Sequence, residues 1–532
     1  MADTFPQYDA GLCPLVEEFS ADWSVLHRRW KLTFSPVHAE RKGRLIAEWQ
    51  DRLSQVPFEQ LSHSGKIDFS LLRNHLQRLV SDLAREREEA DRLESQFPFA
   101  RTICELDRAR TDFEPLDAKW ASHVLDQLAQ KISEAPEPTE DAVALQWAKQ
   151  LKQAMKEWAE FYQGYDPEID WWVREPLARV QTGLDIFCTK LEEAERLSGQ
   201  IPSRPIGREG LINDLKFDMV PYTPERLIEI GEREYAWCMD EMLKASQELG
   251  FGDDWKAAQE HVKQTCLPPG QQPQMVLGLA REAEDYVMDL VTVPEYAKEV
   301  WRMEMMAAER QKVSPFFLGG EAIIVSYPTD TMTFEEKSMS MRGNNPNFSR
   351  ATVQHELIPG HHLQFYMLQR HRPYRKLFST PFWIEGWTIY WEFLLWQMGF
   401  PRTPEERIGM LFWRMHRCVR VVFSLKCHMG LMTTQECVDM LVDRVGHERL
   451  NAEGEVRRSF NGTYPPLYQA AYLLGGIQFR AISEELQGKG WSLKQIHDSM
   501  LKQNQMPPAM MRLALLGEDP PEKENPDFLF DG

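Results

Sequence analysis

Cysteine is sparse in this chain and positive charge is outnumbered, and both shortages narrow what the molecule can be. The eight cysteines, at positions 13, 104, 188, 238, 266, 418, 427 and 437 of 532 residues, include no C-x-x-C pair, which fits a reduced, cytoplasmic protein. Lys and Arg number 61 against 81 Asp and Glu, a formal net charge of −20 with no basic stripe, so nucleic acid and anionic membranes are poor partners. No run approaches the ~18 consecutive apolar residues that a membrane-spanning helix needs. The N-terminal MADTFPQYDAGLCPLVEEF lacks both the charged and the apolar region of a secretory leader. The zinc-protease signature H-E-x-x-H is also missing where histidine is densest, because Pro359 stands at the place of its second histidine.

Apolar residues are plentiful. They make up 43% of the chain, with 17 Trp and 27 Phe, ample for a large core, and the length predicts two or more subdomains. Apolar positions recur at spacings of three and four in ERKGRLIAEWQDRL, in FSLLRNHLQRLVSDLAREREEADRL and in most later segments, which predicts a mainly α fold. The Pro- and Gly-rich SGQIPSRPIGREG at 198–210 marks a boundary. It separates a helical region, 1–204, expected to serve as scaffold and cleft wall, from a second region, 205–532. One segment differs in kind. AIIVSYP, entered through Gly319 and Gly320, predicts a short strand ahead of the histidine-rich stretch, either structural or, if it edges a cleft there, open to strand addition. The polar, Pro-rich tail from Gly517 predicts disorder as far as DFLF.

Chemistry concentrates in ATVQHELIPGHHLQFYMLQR, 351–370, where His355, Glu356, His361 and His362 fall within eight residues. In an unbroken helix His362 would share the azimuth of His355 but lie about 10 Å further along, too far to share an ion whose bonds to nitrogen are about 2 Å. Pro359 has no N–H and its ring clashes with the carbonyl of His355, so a kink or bulge is expected. A bulge absorbing two residues would bring His361 back toward His355. His355 and His361 are then the candidate ligands, Glu356 the candidate base, and His362 a supporting or substrate-binding residue; the plain alternative is a polar helix end with incidental histidines. Asn347 or Ser349 can cap this helix. A third ligand should come from a neighbouring element. PFWIEGWTIYWEFLLWQMGF, 381–400, reads as a buried helix holding Glu385 and Glu392, and Glu385 beside Gly386 is the better placed, unless it is an N-terminal-turn carboxylate facing water. Arg414, Arg417 and Arg420 follow at intervals of three.

HELIPGHHLQ followed by WIEGWTIYWE resembles the DUF885 family, whose pattern is similar to H-E-x-x-P-G-H-H-x-Q and then E-G-W-x-x-Y-x-E. The resemblance implies a largely helical, zincin-like metallopeptidase with Zn(2+) held by His355, His361 and Glu385 and with Glu356 as base. Matching the family's later segments, it also implies roles for Tyr472 as an oxyanion donor, for Arg480 and His428 in substrate binding, and for the pair His497 and Asp498. Leu467 and Tyr468 stand where the family tends to have Gly and Gln, so substrate preference does not carry over with the motif. The expected activity is hydrolysis of an amide bond in a peptide through zinc-activated water. Two rivals stand beside it: a metal-dependent hydrolase of a non-peptide small molecule, and an inactive helical binding protein.

Overall fold

The structure is a computed structural model that describes residues 12–137, 142–198, 201, 203–311, 316–462 and 464–531. Helix accounts for 72% of it, with two short strands, so the chain is mainly α as its periodicity predicts. Among the described residues no helix is long and apolar enough to cross a membrane, and none of the eight cysteines is in a disulfide.

The chain forms two compact units. One comprises Glu17–Pro57 and Arg73–Pro202. In it the helices Ala118–Ser133, Ala142–Tyr162 and Pro167–Ser198 surround a core of Phe97, Phe99, Trp147, Leu151, Trp158 and Phe187. The other comprises Ser203–Gly532 together with Phe58–Leu72 and the described residues up to Val16. The segment Phe58–Leu72 joins it through a buried cluster in which Arg375 Nε donates to Asp68 Oδ1 at 2.7 Å and the Tyr374 hydroxyl donates to Asp68 Oδ2 at 2.7 Å. A buried carboxylate needs such partners, and they lie some three hundred residues away in sequence.

Within this larger unit, glycines set the helix spacing. A Cβ on Gly386 would lie 2.7 Å from the Gly475 carbonyl carbon, and one on Gly475 would lie 2.4 Å from the Phe382 carbonyl oxygen. The helices Pro381–Gln397 and Tyr468–Gly488 therefore cross backbone to backbone. The E-G-W glycine is thus a packing residue, and the close crossing brings Tyr468 next to Glu385. The helix Pro404–His428 approaches the motif helix in the same way, since a Cβ on Gly409 would lie 2.1 Å from the Asn347 carbonyl oxygen.

The strands Arg302–Met305 and Ala322–Val325 pair in parallel, Arg302 opposite Ala322. Ile323 and Val325 bury against Val353 and Leu357 of the motif segment. Leu318 takes up both backbone groups of Ile324, its N–H donating at 3.1 Å and its carbonyl accepting at 2.7 Å. At that point the strand is paired on both sides, so it is a structural strand rather than an edge open to strand addition. The end of the tail, from DFLF on, lies beyond the stretch whose composition predicts disorder, and it is held in place. Phe528 and Phe530 are buried, and Asp531 pairs with Arg226 at 2.8 Å and with Arg233. Two buried aromatic side chains and a paired carboxylate anchor it.

Candidate metal site

The motif segment is two helices, not one bulged helix. The first, Pro346–Glu356, is capped by Asn345, whose Oδ1 accepts from the N–H groups of Asn347 and Phe348, rather than by Asn347 or Ser349. Pro346 occupies N1, the position that needs no N–H. After Glu356 the ladder changes: Gly360 N–H donates to Gln354 O at 3.1 Å and Leu363 N–H to Leu357 O at 3.3 Å. Both bonds span six residues instead of four, so the turn absorbs two extra residues around a cis Ile358–Pro359 peptide. The Trp387 indole holds this turn by donating to Pro359 O at 2.9 Å. The second helix starts at His361. Its ring stands perpendicular to that of His355, with 4.9 Å between centroids.

One nitrogen from each of these histidines and an oxygen of Glu356 lie within 4.8 Å of one another. Glu385 closes the cluster. Its Oε2 is 3.6 Å from His355 Nε2 and 3.3 Å from His361 Nε2, yet it is a buried oxygen without a well-formed hydrogen bond. Its Oε1 accepts from the Tyr468 hydroxyl at 2.5 Å. Burial would raise the Glu385 pKa, but the two imidazoles outweigh it and hold the carboxyl well below its usual range. Burial would likewise lower that of His355, whereas Glu385 and Glu392 raise it to about 9. The cluster favours positive charge at its centre, and a pair of imidazole nitrogens with one carboxylate oxygen is a donor set that suits a divalent metal.

The ligand orientation is held from behind. His355 Nδ1–H donates to Glu392 Oε1 at 2.8 Å, and Arg417 donates to the same oxygen at 3.1 Å. This leaves Nε2 for the cluster, the carboxylate–histidine arrangement that fixes tautomer and ring position at metal centres. His361 Nδ1 faces Gln364 Oε1 at 3.4 Å, while the Gln364 amide donates to Trp383 O and Ile384 O. Glu392 is therefore placed to orient the candidate ligand His355 rather than to face the cluster. The signal for it was present: Glu385 and Glu392 are seven residues apart, two turns along one helix face. In a Glu392→Gln variant the charge that orients His355 is lost, and zinc affinity, read by competition with a chromogenic chelator, is expected to fall about 10–100-fold. Unchanged affinity would remove Glu392 from the site.

Glu356 is half-buried, and burial raises its pKa. Gly319 lies directly against it, since a Cβ there would be 2.1 Å from Glu356 Oε2. The strand entry thus forms one wall of the site. The Tyr472 ring lies parallel to His355 at 6.5 Å between centroids, and burial raises its pKa so that the hydroxyl keeps its proton.

Three expected site residues sit elsewhere. His362 turns away from the cluster: Nε2–H donates to Ala297 O at 2.8 Å and Nδ1 is 3.3 Å from Gly320 O. It lines a pocket of 380 Å³ with Tyr296, Arg302, Phe365 and Tyr366; Phe365 stacks on His361 at 5.5 Å, so the pocket and the ligand share a wall. Arg480 joins Arg414 in pairing with Glu234, at 3.6 and 2.9 Å. It stands eight residues beyond Tyr472, about 12 Å along the helix. His428 ends its helix, eight residues past Arg420, with its ring 5.3 Å from Phe460. His497 bonds the Tyr390 hydroxyl of a neighbouring helix and Leu290 O, and Asp498 accepts from Thr292, which ties their helix to the connection that follows Gln272–Val287. Tyr468, whose family counterpart tends to be Gln, is the residue that grips Glu385.

Comparison with solved structures finds the same fold in two proteins. One is titled a "putative lipoprotein of unknown function from Shewanella oneidensis"; it has a TM-score of 0.69 and 17% identity, over 94% of this chain and 99% of that one. The other is a "putative lipoprotein from Colwellia psychrerythraea", with a TM-score of 0.60 and 15% identity over 95% and 98% of the two chains. Among curated proteins none matches. The family model described as "Bacterial protein of unknown function (DUF885)" matches residues 21–515, and it takes in every residue of the cluster built above. The chain belongs to the DUF885 family.

Proposed function

We propose that this protein is a zinc-dependent hydrolase of the metallopeptidase class, cleaving amide bonds in peptides. The observation that carries the reading is Glu385 Oε2, buried and without a hydrogen bond between the Nε2 atoms of His355 and His361. A buried carboxylate oxygen flanked by two imidazole nitrogens is a donor set that a divalent ion satisfies. Those three residues would hold the ion, which when bound supplies Lewis acidity toward a carbonyl and makes water a nucleophile near neutral pH.

The remaining chemistry belongs to the chain itself. Glu356 is positioned beside the cluster, no side chain among the described residues donates a hydrogen bond to it, and burial raises its pKa, as suits a general base. It accepts a proton from the attacking water and returns it to the leaving amine. Tyr472 supplies a neutral hydroxyl beside His355 for the developing oxyanion. The pocket behind Phe365 receives a substrate side chain. Metal content measured on purified wild type, His361→Ala and Glu385→Ala tests the assignment. One zinc per chain in the wild type, lost in both variants, is expected; a wild type that stays metal-free after dialysis against zinc would overturn it.

A further inference from the structure

On the side of the cluster away from that pocket, the buried charges do not balance. Arg417 is matched by Glu392 at 3.1 Å. Arg420 is matched by Glu455, its Nε donating at 2.8 Å and its terminal nitrogen lying 2.6 Å from the same oxygen. Arg458, on the helix Arg449–Phe460, has only the far oxygen of that same Glu455, 3.2 Å from its Nε and without hydrogen-bond geometry. Its terminal nitrogens donate to nothing among the described residues, although its side chain is only 13% exposed. His416 and His447 bond one another at 2.8 Å, and burial pushes both pKa values down, that of His447 to about 3, so they add no charge. Three guanidinium groups thus meet two carboxylates. On the other side of Tyr472, a divalent ion would be offset by Glu356 and Glu385. The excess is one positive charge, and it falls on Arg458.

The position of Arg458 gives this excess a use. It lies over the Tyr464 ring at 5.5 Å, the Tyr464 ring lies tilted by 37° against that of Tyr468 with 4.2 Å between centroids, and the Tyr468 hydroxyl reaches Glu385 at 2.5 Å. Two aromatic rings therefore separate a free guanidinium fork from the candidate metal ligand. We propose that Arg458 anchors the free carboxylate of the substrate, so that the enzyme takes peptides or acyl-amino acids by their C-terminal end. A guanidinium presents paired donors to a carboxylate, and in a largely buried site their interaction is weakly screened. Arg480, about 12 Å along its helix from Tyr472 and facing Glu234, stands too far from the cluster for this role. The inference rests on the hydrolase reading, which places the scissile bond at the His355 cluster.

The test is binding rather than turnover. Affinities of N-acetyl-dialanine and its C-terminal amide are measured calorimetrically on the full Glu356→Gln chain, with metal content determined on the same sample. The acid is expected to bind at least tenfold more tightly than the amide. Adding Arg458→Met should bring the two within about twofold, and adding Arg458→Lys, which keeps the charge but loses the fork, should leave an intermediate preference. No preference for the acid in the parent, including no binding of either compound, overturns the inference without recourse to the variants. A preference that survives Arg458→Met overturns the assignment to Arg458. A zinc-loaded chain that is indifferent to the carboxylate would leave the hydrolase reading standing and sink this one; a metal-free chain that prefers the acid through Arg458 would do the reverse.

Discussion

A Glu356→Gln protein is expected to bind one zinc per chain and to hydrolyse peptides about 10²–10⁴-fold more slowly than wild type, the range that general acid–base catalysis contributes. The substitution suits the site because glutamine keeps the shape that Gly319 packs against and removes only the ability to take a proton. His355, His361 and Glu385 keep their supports in Glu392, Gln364 and Tyr468, so the metal should stay. Metal content and initial rates measured on one preparation separate the two effects. Full activity with zinc bound would sink the assignment of Glu356 as base. Zinc lost together with activity would instead make Glu356 part of the coordination.

The second large effect concerns the turn that assembles the site. A Cβ on Gly360 would lie 1.8 Å from the His355 carbonyl oxygen, 2.4 Å from its carbon and 2.6 Å from Gln354 O. All three are backbone atoms of the helix that carries His355, so no side-chain rotation can relieve the collision. Gly360→Ala must push the two helices apart at the point where His361 is brought to His355. It is expected to destabilise the protein by more than about 4 kcal/mol, the range reserved for gross steric conflict, and to abolish zinc binding. Gly488→Ala is the control, because a Cβ there meets nothing within 4 Å and alanine is the better helix former by up to ~1 kcal/mol. Thermal melts and metal content of the two variants should diverge. A Gly360→Ala chain that melts like wild type with its zinc in place would refute the close approach.

Both expectations concern the one segment whose chemistry was already visible before folding. The density of His355, Glu356 and His361 and the proline at 359 pointed to a metal site and to a two-residue interruption, and the backbone bonds from Gly360 and Leu363 span the two extra residues. What the spacing could not convey is how the interruption is made, as a helix end, a turn held by Trp387 and a fresh helix start. Glu385 and Glu392 were both visible as carboxylates in an aromatic helix, but their division of labour was not. That division depends on which turn of the shared face meets the Nε2 atoms of both histidines and which meets His355 Nδ1 and Arg417.

Periodicity, caps and the histidine cluster are properties of residues a few positions apart, governed by helix geometry that every stretch of chain obeys. The sequence by itself therefore determined a mainly α chain with its chemistry centred on 351–370. The partners that make the cluster specific lie far apart in sequence: Arg417 is 25 residues from Glu392, Tyr468 is 83 from Glu385 and Arg375 is 307 from Asp68. Only tertiary structure decided those pairings, and with them the placing of Arg480 beside Glu234 and the sharing of Glu455 between Arg420 and Arg458. The physical reason is that a buried charge takes whichever partner the packed helices bring within reach, and that reach is set by contacts such as Gly386 on Gly475, which no local pattern encodes.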